Sequence, residues 1–154
     1  MGDMGEPPGS VRPVTDRFGY LLKHARERLS GLQAEALAPF GITGRELAVL
    51  TILVAGPPPS QLEAAQRLGI DRTSMVGLLD ALEEKGLVER ASDPADRRRN
   101  IVILTATGHR LLVDASRATD AAETAFLAAL SPADADRLRR FLQDVIETLS
   151  LIHI

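Results

Sequence analysis

Between a helical pattern that stops at Gly86 and another that starts after Thr105, the chain has room for only two short strands and a tight connection. That stretch ends in Asp93-Pro94-Ala95-Asp96-Arg97-Arg98-Arg99-Asn100-Ile101-Val102-Ile103-Leu104-Thr105-Ala106-Thr107-Gly108. Asp93-Pro94 opens a turn, three guanidiniums follow it, and Ile101/Ile103 alternate with Val102/Leu104 as a half-buried strand would. Leu87-Val88-Glu89-Arg90-Ala91 is placed to pair with that strand. A basic hairpin directly after a helix (Asp71 to Lys85, closed by Gly86) predicts a helix-turn-helix with a wing. One helix then serves the major groove of DNA, and the basic loop serves the backbone or minor groove. A solvated loop with no partner is the alternative reading of the same arginines.

The rest of the chain reads as helices. Residues 1–13, rich in Gly, Pro and charge, predict a disordered tail. Val14, Phe18, Leu21, Leu22, Ala25, Leu29 and Leu32 recur every three or four residues, which predicts a long amphipathic helix from Val14 that ends before Pro39 or Gly41. Thr43 can cap a second helix with Leu47, Leu50, Thr51 and Val54 inward, stopped by Gly56-Pro57-Pro58-Pro59. Ser60-Gln61-Leu62-Glu63 has the form of a capping box and opens a short third helix ending at Gly69. Asp71 caps the fourth, with Val76, Leu79 and Leu82 inward. After the hairpin, Thr105 caps a fifth helix carrying Leu111, Leu112, Ala115, Ala122, Phe126 and Leu130. Ser131-Pro132 then starts a sixth, with Leu138, Phe141, Leu142, Val145 and Leu149 followed by Leu151-Ile152-His153-Ile154.

The third and fourth helices form the helix-turn-helix, and the N-terminal residues of the fourth point toward base edges. Arg72, Thr73, Ser74 and Met75 are therefore the candidate base or phosphate contacts, since arginine grips guanine bidentately and hydroxyls serve either partner. Met75 is also eligible for the core. Gly77 stands where longer polar side chains are usual; it either permits close approach of a backbone or is simply tolerated, at a cost of about 1 kcal/mol relative to alanine.

On Asp96-x-Arg98-x5-Leu104-Thr105-x2-Gly108, together with the upstream Leu82-Glu83-Glu84-Lys85-Gly86-Leu87-Val88-Glu89-Arg90, the chain resembles the MarR family of winged-helix transcription regulators. The helix layout agrees over about residues 14–150. The resemblance implies a mainly α fold with a small β-hairpin wing: a winged helix-turn-helix of about residues 43–105 plus dimerisation helices at about 14–38 and 106–154. It also implies a homodimer on a pseudo-palindromic duplex, with recognition helices roughly 34 Å apart. Arg98 is the first candidate for minor-groove insertion. The family pattern assigns Asp96 to hold that guanidinium by a bidentate pair, and leaves Arg97 and Arg99 to phosphates. The hydrophobic C-terminal end is read as interlocking with the first helix of a second copy; packing within one chain is the alternative.

Composition narrows the remaining classes. At 154 residues one domain is the default, and no apolar run approaches the roughly 20 residues that span a bilayer. The opening residues lack the form of a signal peptide, so a cytoplasmic protein is expected. Without cysteine there is no disulfide, thiolate nucleophile or thiol switch, which sets aside the cysteine-based peroxide sensors of the family. The net charge of −3 counts for less than its placement. Residues 66–110 carry eight Lys/Arg against seven Asp/Glu, and residues 111–154 carry four against seven, so the cationic charge is local to the winged region.

The resemblance further suggests a small-molecule sensor with its pocket between the dimer helices and the winged domain. Arg17, Tyr20, His24 and Arg28 form one stripe on the first helix able to meet an aromatic or phenolic acid; an ordinary solvated flank is the alternative. His24, His109 and His153 share no metal-ligand spacing, so neither a metal nor an obligate cofactor is expected. No Ser/His/Asp set or phosphate-cradling glycine loop suggests an enzyme, and no catalytic residue is assigned. Two function classes remain: a DNA-binding repressor released by a ligand, or a winged-helix module that binds another protein.

Overall fold

The computed structural model describes residues 9–152, and side chains through Thr148. Among these residues six α-helices and one hairpin follow each other in the order α1 (Phe18–Leu37), α2 (Gly44–Val54), α3 (Gln61–Leu68), α4 (Arg72–Glu84), β1 (Val88–Ser92), β2 (Asn100–Leu104), α5 (Ala106–Phe126) and α6 (Pro132–Ile152). The first helix starts later than its apolar pattern suggests. Val14–Asp16 form a single 3-10 turn, Arg17 is extended, and the α-helix begins only at Phe18.

The helix boundaries follow from local chemistry. Thr43 and Glu46 make a reciprocal capping box: the Glu46 amide donates to Thr43 Oγ1 at 3.2 Å and the Thr43 amide to Glu46 Oε1 at 3.1 Å. Ser60, Asp71 and Thr105 each accept the amide of the residue three positions on, at 3.2, 2.9 and 3.0 Å. Ser131 does the same for Asp134 ahead of α6, at 3.1 Å. At the other ends, Gly69 and Gly86 take φ of +64° and +73°. Those left-handed residues let the Ile70 and Leu87 amides return to Ala65 O and Leu82 O, at 3.1 and 3.0 Å.

The core lies where α2, α3, α4, the hairpin root and α5 converge. Leu37, Val49, Leu50, Met75, Leu79, Leu82, Val88 and Val102 are almost wholly buried there. In α2 the inward face is Leu47, Val49, Leu50 and Leu53, with Glu46; Thr51 and Val54, expected inward, are exposed. The Thr51 hydroxyl turns back to Leu47 O at 2.8 Å. In α4 Met75, Leu79 and Leu82 are buried and Val76 only half so. The strict alternation expected in β2 also gives way: Ile101 and Val102 are both buried, and Ile103 and Leu104 both half-buried. The hairpin root is covered on two sides, by the core and by the Pro57–Pro59 segment, whose Pro59 O accepts the Val102 amide at 2.9 Å.

α1 packs along α5, whereas α6 packs only marginally on other described elements. Several of their apolar residues face solvent: Phe18 is 75% exposed, Phe141 64% and Val145 59%, with Leu21, Leu22, Leu138 and Leu142 also exposed. Leu130 lies beyond the end of α5 and is exposed as well. The side chains of Leu149 to Ile154, which the sequence reading put in a dimer interface, lie outside the described residues, as do residues 1–8 of the assigned tail. Among the described residues no single helix is long and apolar enough to cross a membrane.

Candidate nucleic-acid interface

α3, the Gly69 turn and α4 present the start of α4 to solvent. Arg72 and Thr73 are exposed, and no ion pair or hydrogen bond engages the Arg72 guanidinium among the described residues. Ser74 is half-buried, and its hydroxyl is committed to the helix cap, donating to Asp71 Oδ1 at 2.6 Å. That hydrogen bond, with the Ser74 amide, holds the Asp71 carboxyl below its ordinary range. Stability from this cap is present at neutral pH and is lost as pH falls through the lowered value. Met75 is fully buried, so the base contact assigned to it from the sequence is wrong: the side chain points down the helix into the core. Gly77 has ordinary helical φ, and no described residue outside its own helix backbone comes within 4 Å of where a Cβ would stand.

β1 and β2 pair antiparallel from Val88↔Leu104 to Ser92↔Asn100, which leaves Asp93 to Arg99 as the wing tip. The tip is closed by its own hydrogen bonds. Asp93 N–H donates to Arg99 O at 2.8 Å, Arg99 N–H to Asp96 O at 2.9 Å, and Ala95 N–H to Asp93 Oδ1 at 2.9 Å. Asp96 Oδ1 accepts the backbone amide of Arg98 at 3.1 Å. The guanidinium pairing expected between these two residues is absent: with its oxygen on the amide, Asp96 shapes the loop and leaves the Arg98 head free. Arg97 and Arg98 are exposed, and neither guanidinium has a partner among the described residues. Arg99 differs, because its guanidinium is ion-paired with Glu63 in the first turn of α3. The capping-box expectation for Glu63 fails for the same reason: Ser60 caps the helix, while the Glu63 carboxylate turns to the wing.

Contacts of two cations, Arg90 and Lys85, with residues distant in the sequence hold this arrangement together. Arg90 of β1 reaches Asp80 Oδ1 at 2.6 Å, Glu83 Oε1 at 3.3 Å and Gln61 Oε1 at 3.1 Å, tying the hairpin to both α4 and α3. Lys85 donates to Glu46 Oε2 at 2.8 Å and Gly41 O at 2.9 Å, clamping the end of α4 to the start of α2. Glu46 is 4% exposed, so losing Lys85 would leave a buried carboxylate without its ion-pair partner. The only sequence signals were Lys85 and Arg90 themselves, which fall in the stretch that carries the family resemblance.

The junction into α5 explains Leu104-Thr105-x2-Gly108. Thr105 Oγ1 donates to Gly86 O at 2.8 Å while accepting the Gly108 amide, and the Thr105 amide donates to Leu87 O at 3.1 Å. A Cβ at position 108 would overlap Leu87 O and stand 2.9 Å from Leu104 Cδ1. Only glycine lets α5 lie this close to the hairpin root.

The four residues proposed for a ligand are less unified. Arg17 stands at the break before α1, outside the helix. Tyr20 and His24 meet with ring centroids 4.1 Å apart, and His24 Nδ1 lies 3.7 Å from Glu27 Oε2. None of the four lines the crevice of about 420 Å³ between α1 and α2, which is bounded by Ser30, Gln33, Thr43 and Arg45. No group of three His, Cys, Asp or Glu among the described residues could hold a metal; His153 lies outside them.

A recognition helix beside a closed cationic hairpin, on one helical core, defines a winged helix-turn-helix protein. A profile of the MarR family matches residues 40–99. The HTH-type transcriptional repressor NicR of Pseudomonas putida is 31% identical over 99 residues, 64% of this chain and 63% of NicR, so the match spans just under two thirds of that relative. Among solved structures, a transcriptional regulator of the MarR family from Rhodococcus sp. RHA1 superposes with a TM-score of 0.80 at 32% identity, covering 88% of this chain and 96% of that one. The repressor CouR, solved on a 23-mer DNA duplex, gives 0.81 at 34% identity over 86% and 94%. CouR from Rhodococcus jostii RHA1 has also been solved with p-coumaroyl-CoA, where the TM-score is 0.78 at 32% identity over 88% and 95%. The chain belongs to the MarR family.

Proposed function

We propose that this chain is a sequence-specific DNA-binding transcription regulator of the cytoplasm, a repressor that acts as a homodimer and is released by a small aromatic or phenolic ligand. The observation that carries the reading is the pairing of two unpartnered cationic features on one rigid scaffold: Arg72 at the start of α4, and Arg97 with Arg98 at the wing tip. Unpaired guanidiniums at those two places match what a duplex offers, base edges in the major groove and phosphates or a narrow minor groove alongside. NicR's description as a repressor and CouR's capture on duplex DNA support the same reading. Within it, residues 43–105 form the reading head and 14–38 with 106–154 the dimerisation helices. Arg72 and Thr73 contact base edges, Ser74 serves only as an acceptor, and Arg97 and Arg98 follow the backbone and minor groove. CouR's acyl-CoA ligand supports the ligand class, with Tyr20, His24, Arg28 and Arg17 as its candidate contacts.

Selection of bound duplexes from a random library, followed by titration at several salt concentrations, tests the proposal. A regulator enriches a pseudo-palindrome and loses affinity steeply with salt; a protein-interaction module enriches nothing. Arg72→Ala is expected to cost about 1–3 kcal/mol on the best duplex and much less on random sequence, because base contacts carry the donor and acceptor code. If the variant enriches the same motif with the same information at each position, α4 does not read sequence through Arg72.

The bare apolar faces of α1 and α6 support the homodimer. Phe141→Lys combined with Val145→Lys is expected to convert a dimer at micromolar concentration into a monomer, because two charges would have to be buried without partners. Sedimentation velocity measures it, and an unchanged sedimentation coefficient would take this face of α6 out of the interface.

A further inference from the structure

The hairpin is fastened to the first turn of α3 at two levels. Arg90, in β1, donates through Nε to Gln61 Oε1 at 3.1 Å, and Arg99, the last residue of the tip before β2, is ion-paired with Glu63. Gln61 and Glu63 are the first and third residues of that helix, and Ser60 caps it without using the Glu63 carboxylate. The wing tip is rigid within itself, held by the Asp93, Asp96 and Arg99 backbone hydrogen bonds. Its pitch against the helix-turn-helix is therefore set by these two attachments. The three successive arginines are not equivalent: Arg97 and Arg98 project into solvent, while Arg99 folds back onto the body and is about two-fifths exposed, as is Glu63.

We infer that Arg99 is a positioning residue that anchors the wing to α3 through Glu63, and that it is not one of the phosphate contacts. The inference rests on the DNA-binding reading above. An anchored Arg99 has its charge already neutralised, so it releases no counterions when the protein binds. It acts by fixing where Arg98 arrives relative to the start of α4, and the Glu63 carboxylate is as necessary as the guanidinium.

The sign of one measurement separates this from a phosphate contact. Take a duplex of about 30 base pairs enriched by the wild-type protein, and the same duplex shortened so that the outer segments reached by the wings are missing. Arg99→Gln and Glu63→Gln are each expected to weaken binding to the long duplex by about fivefold, the scale of a partly exposed ion pair. The salt slope should stay at its wild-type value, and the loss should vanish on the short duplex. Exchanging the partners, Glu63→Arg with Arg99→Glu, should restore most of the affinity. If Arg99 instead meets a phosphate, Arg99→Gln lowers the salt slope by about 1, Glu63→Gln binds as well as or better than wild type, and the exchanged pair rescues nothing; that result overturns the inference. So does wild-type affinity in both single variants. Circular dichroism melts of all the variants identify any loss that comes from unfolding. Failure of the wild-type protein to bind any duplex would instead refute the DNA-binding reading itself.

Discussion

Replacing Arg98 with alanine is expected to weaken binding to the selected duplex by about 30-fold or more, the loss of about 2 kcal/mol carried by a charge-assisted contact in a groove. The salt slope should also fall by about 1. The melting temperature should not change, because the side chain is exposed and leaves no cavity behind. Asp96→Ala should have a milder effect of a different kind: it removes the acceptor of the Arg98 amide, so the tip loosens but keeps its charge. Affinity would fall with the salt slope intact. Fluorescence anisotropy across a salt series reads both quantities, and wild-type affinity and slope in Arg98→Ala would end the minor-groove assignment.

The second large effect concerns stability. Gly108→Ala puts a methyl group into Leu87 O and against Leu104 Cδ1, and neither the hairpin root nor the start of α5 can retreat without breaking the Thr105 hydrogen bonds. A cost of about 1–3 kcal/mol is expected for such overpacking, a fall in melting temperature of roughly 2–4 °C for each kcal/mol in a chain of this size. Gly77→Ala is the control. With nothing near its Cβ and ordinary helical φ, it should hold or raise the melting temperature. Equal melting temperatures for Gly108→Ala and the wild type would show that the junction relaxes freely.

What could be read from the sequence was what is decided within a few residues. The caps at Thr43, Ser60, Asp71, Thr105 and Ser131 depend on an amide three positions away, and the hairpin depends on Asp93-Pro94 and two adjacent strands. The inward face of α2 holds at Leu47 and Leu50 but fails at Thr51 and Val54, because Leu47-Ala48-Val49-Leu50-Thr51-Ile52-Leu53-Val54 is apolar nearly all round and periodicity alone cannot choose the side that meets the core. Met75 failed for a related reason: at the fourth position of a recognition helix, one step of rotation separates a base contact from the core. The partners in the ion pairs between elements were not legible. Glu63 with Arg99, Asp80 with Arg90 and Glu46 with Lys85 are 36, 10 and 39 residues apart, and only the tertiary fold decides which carboxylate an arginine or lysine meets. Asp96 was placed in the right loop with the wrong partner, since a carboxylate two residues before an arginine can reach its amide as well as its side chain.

The Leu87 carbonyl, which accepts Thr105 N–H and lies against Gly108, makes the hairpin root and the first turn of α5 one solid joint. Such a joint is the pivot of a bent lever. One arm is α5, 21 residues and hence about 31 Å long; the other is the wing, about 17 Å of strand before its tip is reached. A tilt of α5 by about 5° that overcame the Arg90 and Arg99 ties to α3 and α4 would swing the wing tip through roughly 1.5 Å, several times the few tenths of an ångström that a hydrogen bond tolerates. On the DNA-binding reading proposed above, a push at the far end of α5 that breaks those ties would move the wing arginines without any helix having to melt.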